Sequence, residues 1–253
     1  IEISPTTQTP QIGFGTYGLE DKATESILHA LEIGYRHIDT ADVYGSHPNV
    51  AEAMQKSGLP RDEIFLTSKI WKSDLEAEDV GPAIDRFLKE LETDYIDMLL
   101  IHRPVSGIPP GGIVGGDQLA LEATLGAMDA AREDGKIRAL GVSNFSVQQV
   151  QDALETGYTI VNNQVEYNLK QRPDDILEFC QDNNISVTAY SPLDEGDDVE
   201  AHKTVKAIAK QQGVSEAEVL LNWLMAKGMI VIPRSTDREH IASNLHRLEW
   251  ELD

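Results

Sequence analysis

The chain has 253 residues, 43 of them acidic against 21 basic, with a single cysteine and a formal net charge of −22. A surface this acidic repels phosphate backbones and acidic lipid, which excludes a general nucleic-acid or anionic-membrane partner. The lone Cys180 excludes an internal disulfide and suits the cytoplasm, and no apolar run is long enough to span a bilayer.

The first patterned stretch, IGFGTYG (12–18), is a short β-like run that also spells GxGxxG, with Asp39 downstream where a dinucleotide fold carries its ribose-binding acid. The preceding SPTTQTPQI is too polar and too broken by proline for the buried central strand of a Rossmann fold, which weakens that reading. A helical pattern follows at 21–34, then β-like YRHIDTA (35–41) and EIFLTSKI (63–70), a helix over 80–92, and IDMLLIHRP (96–104). The Gly/Pro-rich SGIPPGGIVGGD (106–117) reads as a long loop, not a domain boundary. A helix over 118–136 ends in the Gly and Lys of a helix stop, and RALGVSNF (138–145), IVNNQVEYN (160–168), ISVTAYSPL (185–193) and MIVIPRST (229–236) complete the β-like runs. In DILEFC, Ile176, Leu177 and Cys180 share a helix face, so the cysteine is expected to be a small buried apolar residue and not a nucleophile.

Eight β-like runs alternating with helices mean a parallel sheet, and closing it gives a (β/α)8 TIM barrel, here one domain over 1–253, with functional residues at the C-terminal ends of its strands. Strand alternation then puts Tyr35, His37 and Asp39 on one face, Phe65, Thr67 and Lys69 on another, and Met98, Leu100 and His102 on a third. Asp39, Lys69 and His102 all fall near the ends of their runs, at one barrel mouth. A buried Lys and Asp are costly unless paired, so Asp39 and Lys69 are expected to pair, with Tyr44 leaning over them. That set suits carbonyl reduction. The alkoxide left by hydride transfer needs a proton, a neighbouring ammonium eases its release from a tyrosine, and His102 polarises the substrate oxygen. The plainer alternative is an ion pair capped by a hydroxyl, beside a core histidine. A metal site built from His37, Asp39, Asp42 and His47 fits no common ligand spacing, and His37 is expected one layer below the mouth, in the core.

These residues resemble the aldo-keto reductase family, in the diketogluconate and aldehyde reductase branch. GYRHIDTADVYG is similar to its signature around the catalytic Asp and Tyr, SKI carries its Lys, and LIHRP resembles its histidine motif; GVSNF, NQVEYN, AYSPL and IPRS resemble its cofactor-cradling motifs in order, over about residues 10 to 245. The resemblance implies a TIM barrel that binds a nicotinamide cofactor without a Rossmann domain. It makes Tyr44 the proton donor, supported by Asp39, Lys69 and His102. It assigns Ser143, Asn144 and Gln164 to the carboxamide, Tyr190 to stacking on the ring, and Ser191 and Leu193 to the pyrophosphate path. Arg234, Ser235 and Thr236 would lie along the adenosine phosphate and Asn244 near the adenine, while Gly15, Thr16 and Tyr17 would flank cofactor and substrate.

The chain departs from the family at three places. His240 stands where many members carry an arginine that clamps the 2′-phosphate, and Asp237 where some carry a basic residue; Arg234 and Arg238 remain nearby. NADP(H) is therefore expected, with NAD(H) or dual use as the alternative. Arg103 replaces a pocket-lining tryptophan, either as a surface ion pair or as a basic group for a carboxylate- or phosphate-bearing substrate. The sequence ends at NLHRLEWELD, short of the family's usual mouth-covering tail, and SPLDEGDD is a short acidic link where a longer cofactor clamp can occur.

The expectation is thus a cytoplasmic, monomeric NAD(P)H-dependent carbonyl reductase acting on small aldehydes or ketones, without metal, nucleic acid or membrane. Alcohol or sugar oxidation by the same site, or a non-catalytic nicotinamide sensor, are the rivals. The acids are spread along the chain with no acidic tail, which points to a halophilic surface whose self-repulsion salt screens.

Overall fold

β-Branched and aliphatic runs such as FLTSKI and IDMLLI bury every residue, the mark of strands covered on both faces. The computed structural model describes residues 1–4, 7–104, 116–193 and 199–245. An antiparallel pair, β1 (Glu2–Ser4) and β2 (Thr7–Gln8), comes first. Alternating elements follow: β3 (Phe14–Gly15), α1 (Ala23–Ile33), β4 (His37–Asp39), α2 (His47–Ser57), β5 (Phe65–Ile70), α3 (Ala77–Glu90), β6 (Ile96–Ile101) and α4 (Gly116–Glu133). The second half contains β7 (Ile137–Ser143), α5 (Val147–Glu155), β8 (Asn162–Glu166), α6 (Asp174–Asp182), β9 (Ser186–Tyr190), α7 (Val199–Gln212), α8 (Glu216–Ala226), β10 (Ile230–Val231) and α9 (Arg238–Leu245).

Strands β3 to β10 form one eight-stranded parallel sheet in sequence order. It closes on itself: Gly13 N–H donates to Val231 O at 2.8 Å, Val231 N–H to Gln11 O at 2.9 Å and Gly15 N–H to Pro233 O at 3.0 Å. Gly15 is required at this seam, because a Cβ there would lie 2.8 Å from the carbonyl oxygen of Ile232. GxGxxG is therefore the first, two-residue strand of a barrel, and not a phosphate-binding turn after a Rossmann strand.

Each expected β-like run overlaps one observed strand, always shorter than the run, and only β7 starts outside its run, one residue early at Ile137. The helices hold apolar stripes against the sheet: α1 buries Ile27, Ala30 and Leu31, then stops at Gly34 with φ 117°. Capping boxes open α5 (Ser146 with Gln149) and α8 (Ser215 with Glu218). Cys180 is fully buried on α6 and burial pushes its thiol up to about 11, so it is an inert core group.

One facing expectation fails. Tyr35 does not share the inner face of His37 and Asp39; it packs edge-on against Phe14 and donates its hydroxyl to Ile241 O of α9, in the outer layer. Strand pairing begins only at His37, so the alternation does not extend back to Tyr35. Inside, Phe65, Met98, Leu100, Ala139, Val161 and Ile230 form an apolar cluster. Above it the interior is polar, with His37 Nε2 paired to Thr67 Oγ1 at 3.0 Å and Asn162 donating to Thr188 Oγ1 at 2.9 Å.

Candidate active site at the barrel mouth

The top interior layer is set by register. Asp39 ends β4, opposite Gly15 and Thr67; Lys69 lies two residues beyond Thr67 on β5; and the backbone N–H of His102 donates to Ile70 O, placing it just past β6. Successive inward positions thus bring an acid, an ammonium and an imidazole together, as alternation requires.

Lys69 is fully buried and its three N–H bonds are all engaged: Asp39 Oδ1 at 2.6 Å, Thr40 O at 2.9 Å and Tyr44 Oη at 3.4 Å. Burial opposes its charge, but Asp39 and Tyr44 outweigh that and raise its pKa, keeping it an ammonium. The other carboxylate oxygen of Asp39 accepts from Gln164 Nε2 at 2.7 Å, so both oxygens are engaged. Because Tyr44 Oη accepts from Lys69, its own O–H is left to point elsewhere. Tyr44 comes from a single 3-10 turn, Asp42–Tyr44, ended by Gly45 at φ 64°. Its ring packs edge-on against Tyr17 and His102, at 5.1 Å and 5.6 Å between centroids.

Electrostatics at Tyr44 differ from expectation. The ammonium does pull the phenol pKa down, yet burial is the larger influence and the net direction is up. His102 is held neutral, its pKa lowered to about 4 by burial and by the charge on Lys69. Its buried Nδ1 has no partner among the described residues, and Trp71 packs edge-on against its ring at 5.0 Å.

A second polar group lies across the mouth. Asn144 donates to His102 O and Ser143 Oγ, each at 3.0 Å, and its Oδ1 accepts from Tyr190 Oη at 2.8 Å; Ser143 Oγ donates to Gln164 O at 2.8 Å. Asn144 and Ser191 both have left-handed backbones, φ 62° and 47°, at the turns where β7 and β9 end. Such geometry is unusual for a non-glycine, least so for Asn, and collects at functional sites.

Apart from the fully buried Lys69 and Thr40, these groups line one cavity of about 830 Å³, within the range of small-molecule and cofactor sites. It takes in Gly15, Thr16, Tyr17, Asp39, Tyr44, His102, Arg103, Ser143, Asn144, Gln164, Tyr190, Ser191, Leu193, Arg234, Ser235 and Thr236. His240 and Asn244 do not line it: His240 is exposed and Asn244 buried on α9. Val43, Trp71, Glu166, Asn168, Pro192, Ile232 and Pro233 also line the cavity and were not singled out in the sequence. Trp71, Glu166 and Asn168 had a signal: each continues the inward alternation of Lys69 or Gln164 by one or two steps of two residues.

The residues of the metal alternative are otherwise engaged. Asp42 pairs with Arg86 at 2.6 Å, and His47 holds Glu90 and Ser68, each at 2.9 Å. Among the described residues no group of three or more His, Cys, Asp or Glu is arranged to hold a metal ion, and no helix is long and apolar enough to cross a membrane. The glycine-rich loop of 106–117 and the acidic link of 191–198 fall largely, and the chain end after Leu245 wholly, outside the described residues.

Comparison with known proteins agrees with this geometry. A family model described as the aldo/keto reductase family matches residues 11–253. The methylglyoxal reductase DkgB of Yersinia pestis is 35% identical over 239 residues, covering 93% of this chain and 86% of that protein. The glyoxal reductase of Bacillus subtilis is 33% identical over 248 residues, covering 97% and 85%. Among solved structures, an aldo-keto reductase of Bombyx mori in complex with NADP superposes with a TM-score of 0.87 at 31% identity, covering 98% of this chain and 86% of the other.

Proposed function

The chain belongs to the aldo/keto reductase family, and from that premise we propose that it reduces small aldehydes or ketones with hydride from NAD(P)H, Tyr44 giving the proton. The observation that carries the reading is the direction of one hydrogen bond. Lys69 donates to Tyr44 Oη, so the phenol proton is free to face a carbonyl oxygen in the cavity.

The residues fit a nicotinamide dinucleotide. Ser143, Asn144 and Gln164 offer hydroxyl and amide groups on one wall, Tyr190 a flat ring beside them, and Arg234, Ser235 and Thr236 a cation and hydroxyls for phosphate. When bound, the cofactor supplies the hydride. The chain supplies the rest. Asp39 keeps Lys69 charged and pinned, Lys69 stabilises the phenolate that Tyr44 becomes on giving up its proton, and neutral His102 donates a hydrogen bond to the substrate oxygen. The raised pKa of Tyr44 keeps it protonated before reaction, so it starts as a loaded acid. Tyr17 and Arg103 flank the substrate.

NADP(H) is the expected cofactor, with NAD(H) or dual use as the alternative. Asp237 accepts from the backbone N–H groups of Glu239 and His240, capping α9 with its own negative charge, and Arg238 is paired with Glu25 at 3.1 Å. A 2′-phosphate near that helix start is left with less positive charge than it would otherwise find. We further read the protein as one cytoplasmic domain acting as a monomer, in the reductive direction. A sensor that docks a partner through an apolar face is not favoured: among the described residues the large exposed hydrophobics are Tyr17 and Val43, both at the cavity.

The test follows cofactor absorbance with methylglyoxal, using NADPH and NADH in parallel, and Tyr44→Phe as the variant. Turnover is expected to fall at least roughly 100-fold in Tyr44→Phe while cofactor still quenches the intrinsic fluorescence. Cofactor binding with no turnover of any carbonyl by the parent chain would overturn the reading in favour of a sensor.

A further inference from the structure

In a chain with twice as many acids as bases, a guanidinium without a carboxylate partner is conspicuous. Elsewhere among the described residues Arg36 pairs with Glu63, Arg61 and Arg138 with Asp97, Arg86 with Asp42 and Asp74, Arg132 with Asp129, and Arg238 with Glu25. Arg103, Arg172 and Arg234 form no ion pair with any described residue, and two of those three, Arg103 and Arg234, line the cavity.

Those two arginines are not equivalent. Arg234 follows β10 at the barrel seam, its guanidinium carbon 3.9 Å from where a Cβ on Gly18 would stand, on the wall assigned to phosphate. Arg103 follows β6, four strands round the barrel, immediately after His102. It lines the same cavity as His102, Tyr44 and Tyr190 and its side chain is exposed; its charge adds to the lowering of the His102 pKa behind burial and Lys69, and opposes the rise that burial imposes on Tyr190. Of the carboxylates on the cavity wall, Asp39 is neutralised by Lys69, and Glu166 acts on Tyr190 in the sense opposite to Arg103. The charge around the reacting centre is therefore divided, with Arg103, unpaired among the described residues, next in sequence to His102.

We propose that the site is built for anionic carbonyl compounds, Arg103 holding a carboxylate carried by an aldehyde or ketone whose carbonyl lies between Tyr44 and His102. This rests on the reductase reading above and adds the substrate class to it. A planar guanidinium takes a carboxylate through two parallel hydrogen bonds, which fixes orientation as well as charge. The carboxylate is unchanged in the reaction: hydride and the Tyr44 proton add across the C=O bond, and an oxo acid leaves as the hydroxy acid.

The experiment compares succinic semialdehyde with butanal, which share a four-carbon chain and differ in the carboxylate. KM for each is measured with the parent chain, Arg103→Gln and Arg103→Lys, in one buffer and at one salt concentration. Arg103→Gln is expected to raise KM for succinic semialdehyde roughly tenfold, to move that for butanal less than about threefold, and Arg103→Lys to recover part of the loss. Equal shifts for both aldehydes, or none, would overturn the inference and leave the reductase reading standing. Should the parent chain reduce neither aldehyde, turnover of methylglyoxal decides the reductase reading separately, and calorimetric titration with succinate decides the anion site. Binding that weakens in Arg103→Gln keeps the site, and no binding by the parent chain ends it.

Discussion

Lys69 concentrates the energetics of the site in one side chain. It is fully buried, gives all three N–H bonds to protein oxygens and is, among the described residues, the one cation paired with Asp39, itself almost fully buried. Removing one partner of such a pair leaves the other charge stranded, at about 3–5 kcal/mol. Lys69→Met should therefore lower Tm by roughly 10 °C in a chain this long, as well as abolishing turnover. Calorimetry in the absence of cofactor checks this; an unchanged Tm would mean that the Asp39–Lys69 pair does not hold the fold. At this scale much was legible beforehand. Asp39, Lys69 and His102 were readable because a strand alternates with period two and a buried charge must find its opposite. Tyr44 was readable only as a residue within reach, since its place depends on a 3-10 turn that no periodicity announces. Tyr35 departs from the alternation because pairing starts only at His37, whereas Trp71 and Asn168 continue it beyond the last paired residues of β5 and β8, and Glu166 continues it at the final paired position of β8.

Whole elements hold the loops that carry these residues. Arg86 on α3 reaches Asp42 at 2.6 Å and Asp74 at 2.9 Å, so one guanidinium ties the turn bearing Tyr44 to the 3-10 turn that follows Trp71. These pairs are largely exposed, and such bonds add well under about 1 kcal/mol each to stability. Their effect should appear in positioning instead. Arg86→Ala is expected to lower kcat severalfold with Tm moving by less than about 3 °C, and Arg86→Lys, which can reach one acid but not bridge both, to give an intermediate kcat. Parallel kinetics and melting curves check it, and a fall in Tm with kcat unchanged would count against it. Element order and type were well marked in the sequence, because buried parallel strands are unbroken apolar runs and their helices carry stripes. Element lengths were not. Each strand is trimmed by the curvature of a closed barrel, and β3 and β10 retain only two residues each. The closure itself rests on backbone bonds to residues with no distinguishing side-chain pattern, so GFGTYG could be dismissed as a nucleotide turn only on the polarity of what precedes it.

At the scale of the molecule the governing quantity is charge. A formal −22 spread over the surface repels itself in the folded state, and the ion pairs among the described residues leave most of the acids unmatched. Screening shortens from a Debye length of about 10 Å at 0.1 M salt to about 3 Å at 1 M. Tm is accordingly expected to rise by roughly 10 °C or more between 0.1 and 2 M KCl, because relief of net repulsion outweighs the weakening of exposed pairs. Melting curves across that range check it, and a flat or falling Tm would remove the case for a salt-adapted surface. The same screening leaves the buried Asp39–Lys69 pair nearly untouched, so the chemistry and the stability should respond to salt differently.

The barrel seam also sets a schedule for folding. Gln11 donates to Met225 O at 2.7 Å and to Met229 O at 3.1 Å, and Gly13 and Gly15 bond to Val231 and Pro233, so the first strand has its second neighbour only when the last has been made. During synthesis on a ribosome, β3 and each newest strand in turn present open edges, free to pair with other chains. Contacts spanning more than 210 residues are among the slowest to form, since a long loop must be closed before any bond rewards it. The growing polypeptide therefore spends nearly its whole translation time as an unfinished sheet.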